Sequence, residues 1–166
     1  MNELKRRLLF LLLFAVVFFQ TGAHISQSFV NYPAWAFISM DSFPEYHRVM
    51  TRGAFLLLFP RVVELVLAIA VLYFPPAMIK RWTLVLAIAL ALCAFLSTVL
   101  IQRPIHVQLD TIGNTPELLS RLRATNWLRL TPEWFRAALY IWMMSLVVRP
   151  QPQVGAAKTE TYGDAA

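Results

Sequence analysis

Four long apolar runs constrain what this chain can fold into. They cover residues 8–30, 54–74, 82–101 and 132–148, and a helix needs about 20 apolar residues to cross the hydrocarbon core of a bilayer. Charged residues make up 14% of the 166 residues, whereas soluble domains carry about 25%. The sequence therefore predicts an all-α integral membrane protein, an antiparallel bundle of four transmembrane helices surrounded by lipid.

Basic residues near the ends of these runs predict the topology. Lys5–Arg7 precede the first run, Lys80 and Arg81 separate the second from the third, and Arg149 follows the fourth. Cytoplasmic loops carry an excess of Lys and Arg, so both termini are predicted to be cytoplasmic in a bacterial-type inner membrane. Because the net charge of +6 is distributed over helix ends, it does not indicate a nucleic-acid partner.

The two ends of the chain have different compositions. Residues 150–166 are rich in Pro, Gly and polar residues and predict a disordered cytoplasmic tail, which leaves residues 1–149 as the transmembrane domain. At the other end, the basic start, the apolar stretch Leu8–Phe19 and the small residues after it also fit a signal peptide cleaved before His24. The apolar pattern continues to Val30 with helical spacing, which favours an uncleaved first helix.

Capping residues and prolines predict helix starts in the outer part of the chain. Thr115-Pro116-Glu117 combines a cap, a first-turn proline and an acid, which predicts a short amphipathic helix over residues 116–125 on the outer membrane surface. Thr131-Pro132-Glu133 repeats the signal. The last transmembrane helix is therefore predicted to begin separately, near Pro132.

Arg61 and Glu64 are ionisable residues inside the second apolar run. Such residues cost a few kcal/mol near a membrane centre, so they are kept where they are paired or where a site needs them. Their spacing of three places both on one helix face, which predicts a buried charge pair. In a structural interpretation they neutralise each other or pair with Arg136; in a functional one they line a polar cavity for a substrate or a proton.

The three histidines of the chain, His24, His47 and His106, lie at the outer ends of the first three runs. With a rise of about 1.5 Å per residue, they are predicted at one membrane level. Imidazoles at one level can ligate zinc, copper or iron, so all three are candidate metal ligands. The alternative is that each finds its own partner near the interface and that no metal cofactor is present.

Polar residues at the outer end of the bundle suggest two classes of function. In the first, they form a catalytic site above an apolar cavity that binds a hydrophobic small molecule. In the second, the protein is a non-catalytic small subunit or assembly factor of a membrane complex, and the same residues bind a partner protein, a second copy or a lipid headgroup. The candidate residues are His47, Arg48, His106, Asn126, Arg129 and Arg136.

The order of several short motifs carries a family resemblance. A Tyr32-Pro33-x-Trp35 loop precedes a second helix with an internal proline, Pro104-Ile105-His106 follows the third run, and Asn126-Trp127-Leu128-Arg129 precedes the fourth. Over about residues 8–148 this order resembles the small four-helix membrane proteins, mostly uncharacterised bacterial ones, that are related to the anthrone oxygenases. The resemblance implies oxidation of a polycyclic aromatic substrate by molecular oxygen, with no well-established cofactor. The group commonly has Asn where this chain has His106.

Overall fold

The computed structural model describes residues 1–149, apart from the side chains of residues 54–58. The predicted tail at 150–166 lies outside the described residues. Every regular element in the described part is helical, so the predicted all-α class is confirmed.

The helices follow one another in four runs joined by short connections. In the first run, α1 (Glu3–Ser26) leads through a π turn (Gln27–Asn31) into α2 (Tyr32–Ala34) and a 3-10 turn (Trp35–Phe37). The second run is α3 (Phe43–Tyr73), and the third is α4 (Arg81–Ser97), a π turn (Thr98–Gln102) and α5 (Arg103–Ile112). The fourth is α6 (Pro116–Val147). α1 packs against α3 and α6, and α4 packs against α6 and α3.

Two of these runs, Glu3–Phe37 and Arg81–Ile112, are long and apolar enough to cross a membrane. Only 28% and 22% of the residues in their most apolar stretches are buried. The other residues of these stretches are exposed or only partly buried, whereas the core helix of a soluble protein would be mostly buried.

A proline stands two residues after the end of each π turn. The N–H of Tyr32 bonds to the carbonyl of Gln27, and the N–H of Arg103 bonds to the carbonyl of Thr98. Pro33 and Pro104 follow these residues, and a proline ring inside a helix clashes with the carbonyl four residues earlier. In both runs that carbonyl belongs to the wider π turn, which lets the helical run continue through the proline.

The predicted break in the last helix is absent, because α6 runs without interruption from Pro116 to Val147. Its buried residues recur at alternating spacings of three and four on both sides of Pro132, so one continuous face packs against the rest of the protein. The residues predicted as a separate surface helix, 116–125, form the first turns of α6. The residues with this spacing are Leu119, Leu122, Asn126, Arg129, Glu133, Arg136, Tyr140, Met143 and Val147, and Leu130 beside them is buried as well.

The core is divided into two apolar clusters with polar residues between them. One cluster gathers Phe10, Leu13, Val71, Leu84 and Met143 with their neighbours. The other gathers Tyr32, Trp35, Phe43, Ile105, Leu109, Leu119 and Leu122. On α6 the first cluster uses the residues from Tyr140 onward and the second uses Leu119 and Leu122. The polar middle of α6 therefore lies between two apolar ends.

Candidate functional site

Two arginines and two glutamates form a closed ring between α3 and α6, here called the charge ring. Arg61 donates from Nη1 to Glu64 Oε2 at 2.9 Å and from Nη2 to Glu133 Oε1 at 2.8 Å. Arg136 donates from Nη2 to Glu133 Oε2 at 2.5 Å and from Nη1 to Glu64 Oε1. Each carboxylate accepts from both guanidinium groups, so the formal charges of the ring cancel.

The ring contains the predicted pair, Arg61 and Glu64, and places Arg136 beside it. Glu133 was predicted only as the acid that opens a helix, yet it is the second carboxylate of the ring. Its spacing of three from Arg136 equals the spacing of Arg61 and Glu64, so each helix presents one such pair on one face. Where α3 packs against α6, the arginine of each pair also donates to the glutamate of the other pair. The ring therefore holds the two helices together.

His24 lies at the edge of the charge ring. Its Nδ1 is 3.2 Å from Glu133 Oε1, and 17% of its side chain is exposed. This distance is that of an ion pair, so a protonated His24 would bind a carboxylate of the ring. His24 is therefore a titratable neighbour of the charge ring.

A chain of hydrogen bonds links Asp110 to Arg129 through three rings, and is here called the proton chain. His47 Nδ1 is 2.6 Å from Asp110 Oδ1, and His47 Nε2 is 2.9 Å from His106 Nδ1. His106 Nε2 is 3.3 Å from Tyr32 Oη, which accepts a hydrogen bond from Arg129 Nη2 at 3.4 Å. From Asp110 on α5 the chain passes to α3, returns to α5 at His106, and continues to α2 and α6.

The proton chain has one consistent direction when both imidazoles are neutral. The carboxylate of Asp110 accepts, so His47 Nδ1 must donate and its Nε2 must accept. His106 Nδ1 then donates to His47, and His106 Nε2 accepts from the Tyr32 hydroxyl. Every donor thus points toward Asp110, whose side chain is 29% exposed.

Aromatic rings enclose the two histidines. Trp35 meets His47 edge-on with ring centroids 5.0 Å apart and meets His106 at 5.8 Å, and Phe43 stacks on His47 at 5.4 Å. Asn114 donates to the backbone carbonyl of Trp35 at 2.6 Å and so holds this segment in place. Because His47 is fully buried, the packing keeps water away from the middle of the proton chain.

Arg129 differs from the two arginines of the charge ring. It is 5% exposed and donates to Tyr32 and, at 2.6 Å, to Asn126 Oδ1, while Asn126 donates to Ser28 Oγ at 2.8 Å. Within the described part of the chain it forms no ion pair, and its Nε has no partner. A buried cation without a counter-charge is costly, so this position is suited to an anion.

One cavity of about 280 Å³ brings the proton chain and the charge ring together, and is here called the polar cavity. Tyr32, His106 and Arg129 line it from the proton chain, and Arg61 lines it from the ring. Met50, Phe95 and Trp35 give the same cavity apolar and aromatic walls. The rest of the lining comes from His24, Gln20, Gln27, Thr51, Thr98 and Ala23. Such a site suits a small molecule that is mostly apolar and carries one or two polar groups.

Two of the candidate groupings are not brought together. Arg48 is exposed and donates from Nε to the carbonyl of Pro44 on its own helix at 3.1 Å, away from the proton chain. His47 and His106 contact each other, whereas His24 contacts Glu133. Among residues 1–149 no group of three or more His, Cys, Asp or Glu side chains is arranged to hold a metal ion.

Tyr32 and Asp110 belong to the site although neither was among the predicted site residues. Tyr32 is part of the Tyr-Pro-x-Trp motif, and Asp110 lies four residues after His106 on α5. That spacing places Asp110 and His106 on one face, which is the face that meets His47. In comparisons with models of protein families, with curated proteins and with solved structures, the chain matches none.

Proposed function

We propose that this chain is an integral membrane protein that binds a hydrophobic aromatic molecule with a weakly acidic hydroxyl group and removes the proton of that group. The proposal keeps the predicted topology, an antiparallel bundle of four spanning helices with both termini cytoplasmic. The observation that carries it is the proton chain, which leads from the polar cavity to Asp110.

Exposed apolar side chains support the membrane setting. Several apolar residues of the two long apolar runs are more than half exposed, among them Leu12 (53%), Phe19 (56%), Val85 (54%) and Leu96 (51%). Soluble monomers rarely expose contiguous apolar patches larger than a few hundred Å², whereas lipid accepts such a surface.

The proton chain supports a proton-transfer step. A hydroxyl bound in the polar cavity gives its proton to Tyr32 Oη as the Tyr32 proton passes to His106 Nε2. The proton on His106 Nδ1 then passes to His47 Nε2. The products are a substrate anion, neutral Tyr32 and His106, and a His47 imidazolium 2.6 Å from the Asp110 carboxylate. General-base assistance of this kind typically contributes about 10²–10⁴-fold in rate.

Arg129 supplies the charge that the resulting anion needs. It lines the polar cavity and already donates to Tyr32 Oη. A positive charge fixed in a site sheltered from water stabilises an anion much more than it would in bulk water. Binding the anion would also give this buried guanidinium its missing counter-charge.

The resemblance to the anthrone oxygenases suggests the reaction that comes after deprotonation. The anion of a hydroxylated polycyclic aromatic is electron-rich and can be oxidised by O₂. In anthrone oxidation the methylene carbon loses two hydrogens and gains one oxygen atom, and the second oxygen leaves as water, so the atoms balance. We propose this oxidation as the reaction class for the polar cavity.

The test uses detergent-purified protein with anthrone as the probe, because its enol tautomer, anthrol, carries the aromatic hydroxyl group and loses its proton to give the anthrone anion. Absorbance reports the anthrone anion, and an oxygen electrode reports O₂ consumption. We expect the wild-type protein to form the anion and to consume O₂, and Asp110→Asn and Tyr32→Phe to slow both by about 10²-fold. Arg121→Met, which changes an exposed arginine on the same helix as Arg129, is the control and should behave as wild type.

The outcomes separate the two classes of function. Anion formation without O₂ consumption would support proton transfer and contradict the oxygenase step. Absence of anion formation in the wild-type protein would contradict the proposed function. Purification as part of a larger membrane complex, together with that absence, would favour the non-catalytic subunit.

A further inference from the structure

A second cavity, of about 210 Å³, lies between α3 and α4 on the Tyr140 side of the charge ring, and is here called the apolar slot. Apart from Arg61, Glu64 and the hydroxyl of Tyr140, its lining is aliphatic or aromatic. Arg61 and Glu64 are already bound within the charge ring. The slot therefore offers space for an apolar group and little for a polar one.

The apolar slot and the polar cavity share two walls. Arg61 and Phe95 line both of them. The two cavities are therefore neighbours, separated by the side chains of Arg61 and Phe95.

The side of the slot on α4 includes two small side chains, Ala87 and Ala91, next to the ring of Phe95. Ala87, Ala91 and Phe95 recur every four residues and share one helix face. The rise from Ala87 to Phe95 is about 12 Å, so the slot is elongated along the helix. Its edges carry Leu65 and Leu92, which are 47% and 48% exposed, so the slot opens toward the surface that faces lipid in the proposed orientation.

We infer that the apolar slot binds the hydrocarbon tail of the molecule whose hydroxylated ring occupies the polar cavity. The inference rests on the proposed function and specifies its substrate class: a hydroxylated aromatic compound with an alkyl or isoprenoid tail, which reaches the site from the lipid phase. The open edge between α3 and α4 is its route of entry, and Phe95 separates ring from tail.

The experiment compares two phenols that differ in tail length, para-ethylphenol and para-octylphenol, at one detergent concentration. Ala91→Phe fills the slot, and Ala89→Phe places the same ring on the exposed side of α4 as a control. Each methylene group of the tail that loses its apolar contact lowers the affinity by up to about fourfold. We therefore expect Ala91→Phe to lower the affinity for para-octylphenol by at least about fivefold. Para-ethylphenol should bind both variants as it binds the wild type. Partition into micelles is the same for all three proteins and cancels from each ratio.

Two results distinguish this inference from the function it rests on. If Ala91→Phe lowered the affinity for both phenols equally, the tail subsite would be overturned and the proposed ring site would be unaffected. Failure of para-ethylphenol to bind the wild-type protein would contradict the proposed function and the tail subsite together.

A second measurement needs no variant. A para-alkylphenol with a photoreactive diazirine at the end of its tail is expected to label residues 62–68 of α3 and 87–95 of α4, and an excess of para-octylphenol should block the labelling. Labelling spread evenly over the exposed residues of α1, or unchanged by the competitor, would overturn the inference.

Discussion

Replacing Glu133 with Gln removes one carboxylate of the charge ring with almost no change in shape. Glu133 is 1% exposed and accepts from Arg61 at 2.8 Å and from Arg136 at 2.5 Å. The variant leaves two guanidinium groups with Glu64 alone, and removing one partner of a buried ion pair costs about 3–5 kcal/mol. At about 2–4 °C per kcal/mol for a chain of this length, the midpoint of thermal unfolding should fall by roughly 6–20 °C.

The control variants test whether charge balance is the reason. The double change Arg61→Met with Glu64→Met removes one positive and one negative charge and leaves the Arg136–Glu133 pair intact, so it should lower the midpoint less than Glu133→Gln alone. Glu117→Gln changes an exposed acid in the first turn of the same helix, and should alter stability by no more than about 0.5 kcal/mol. The measurement is thermal unfolding in detergent, monitored by circular dichroism. Equal midpoints for Glu133→Gln and Glu117→Gln would refute the reasoning.

Two further predictions concern the α5–α6 turn and the topology. Gly113 has a φ of 92°, and an added Cβ would lie 3.2 Å from the carbonyl oxygen of Met40. Gly113→Ala should therefore lower the free energy of unfolding by at least about 1–2 kcal/mol and lower the unfolding midpoint. An unchanged midpoint would contradict this strain. In a cysteine-free background, Ser120→Cys should react with an impermeant thiol reagent only from the outer side and Lys80→Cys only from the cytoplasmic side, and the reverse pattern would contradict the topology.

The charge ring shows how far the sequence could predict this site. Arg61 and Glu64 were predictable because both lie on one helix in an apolar run, where spacing alone places them on one face. The other half of the ring requires α3 to pack against α6 at one particular level. No local pattern encodes that level, so Glu133 was assigned only to a helix start.

The proton chain shows the same limit. The common level of His47 and His106 was predictable from rise per residue, but the rotation of each helix was not. Arg48 follows His47 by one position, about 100° around the helix, and this rotation takes it to the exposed side. Asp110 and Tyr32 enter the site because α5 and α2 present them there, which depends on how those segments pack.

The uninterrupted α6 has a different cause. Thr131-Pro132-Glu133 has the composition of a helix start, and locally the prediction was reasonable. The buried face from Leu119 to Val147 overrides that signal, since ending the helix at Pro132 would break the packing on both sides. Proline costs the helix one backbone hydrogen bond there, and tertiary packing outweighs that loss.

The π turns have a consequence for how related chains can be recognised. Each π turn contains one residue more than an α-helical turn, since Tyr32 bonds five residues back to Gln27 and Arg103 bonds five back to Thr98. Deleting one residue from either turn would restore a regular α-helical turn and leave the helices on its two sides in nearly the same rotation, because both kinds of turn complete one revolution. Changing the turn at 27–31 into α-helix without a deletion would instead rotate the two helices against each other by about 100° and take His24 away from the face of Tyr32. A one-residue gap at 27–31 or 98–102 in an alignment would therefore mark a homologue whose helices keep the orientation that the site needs.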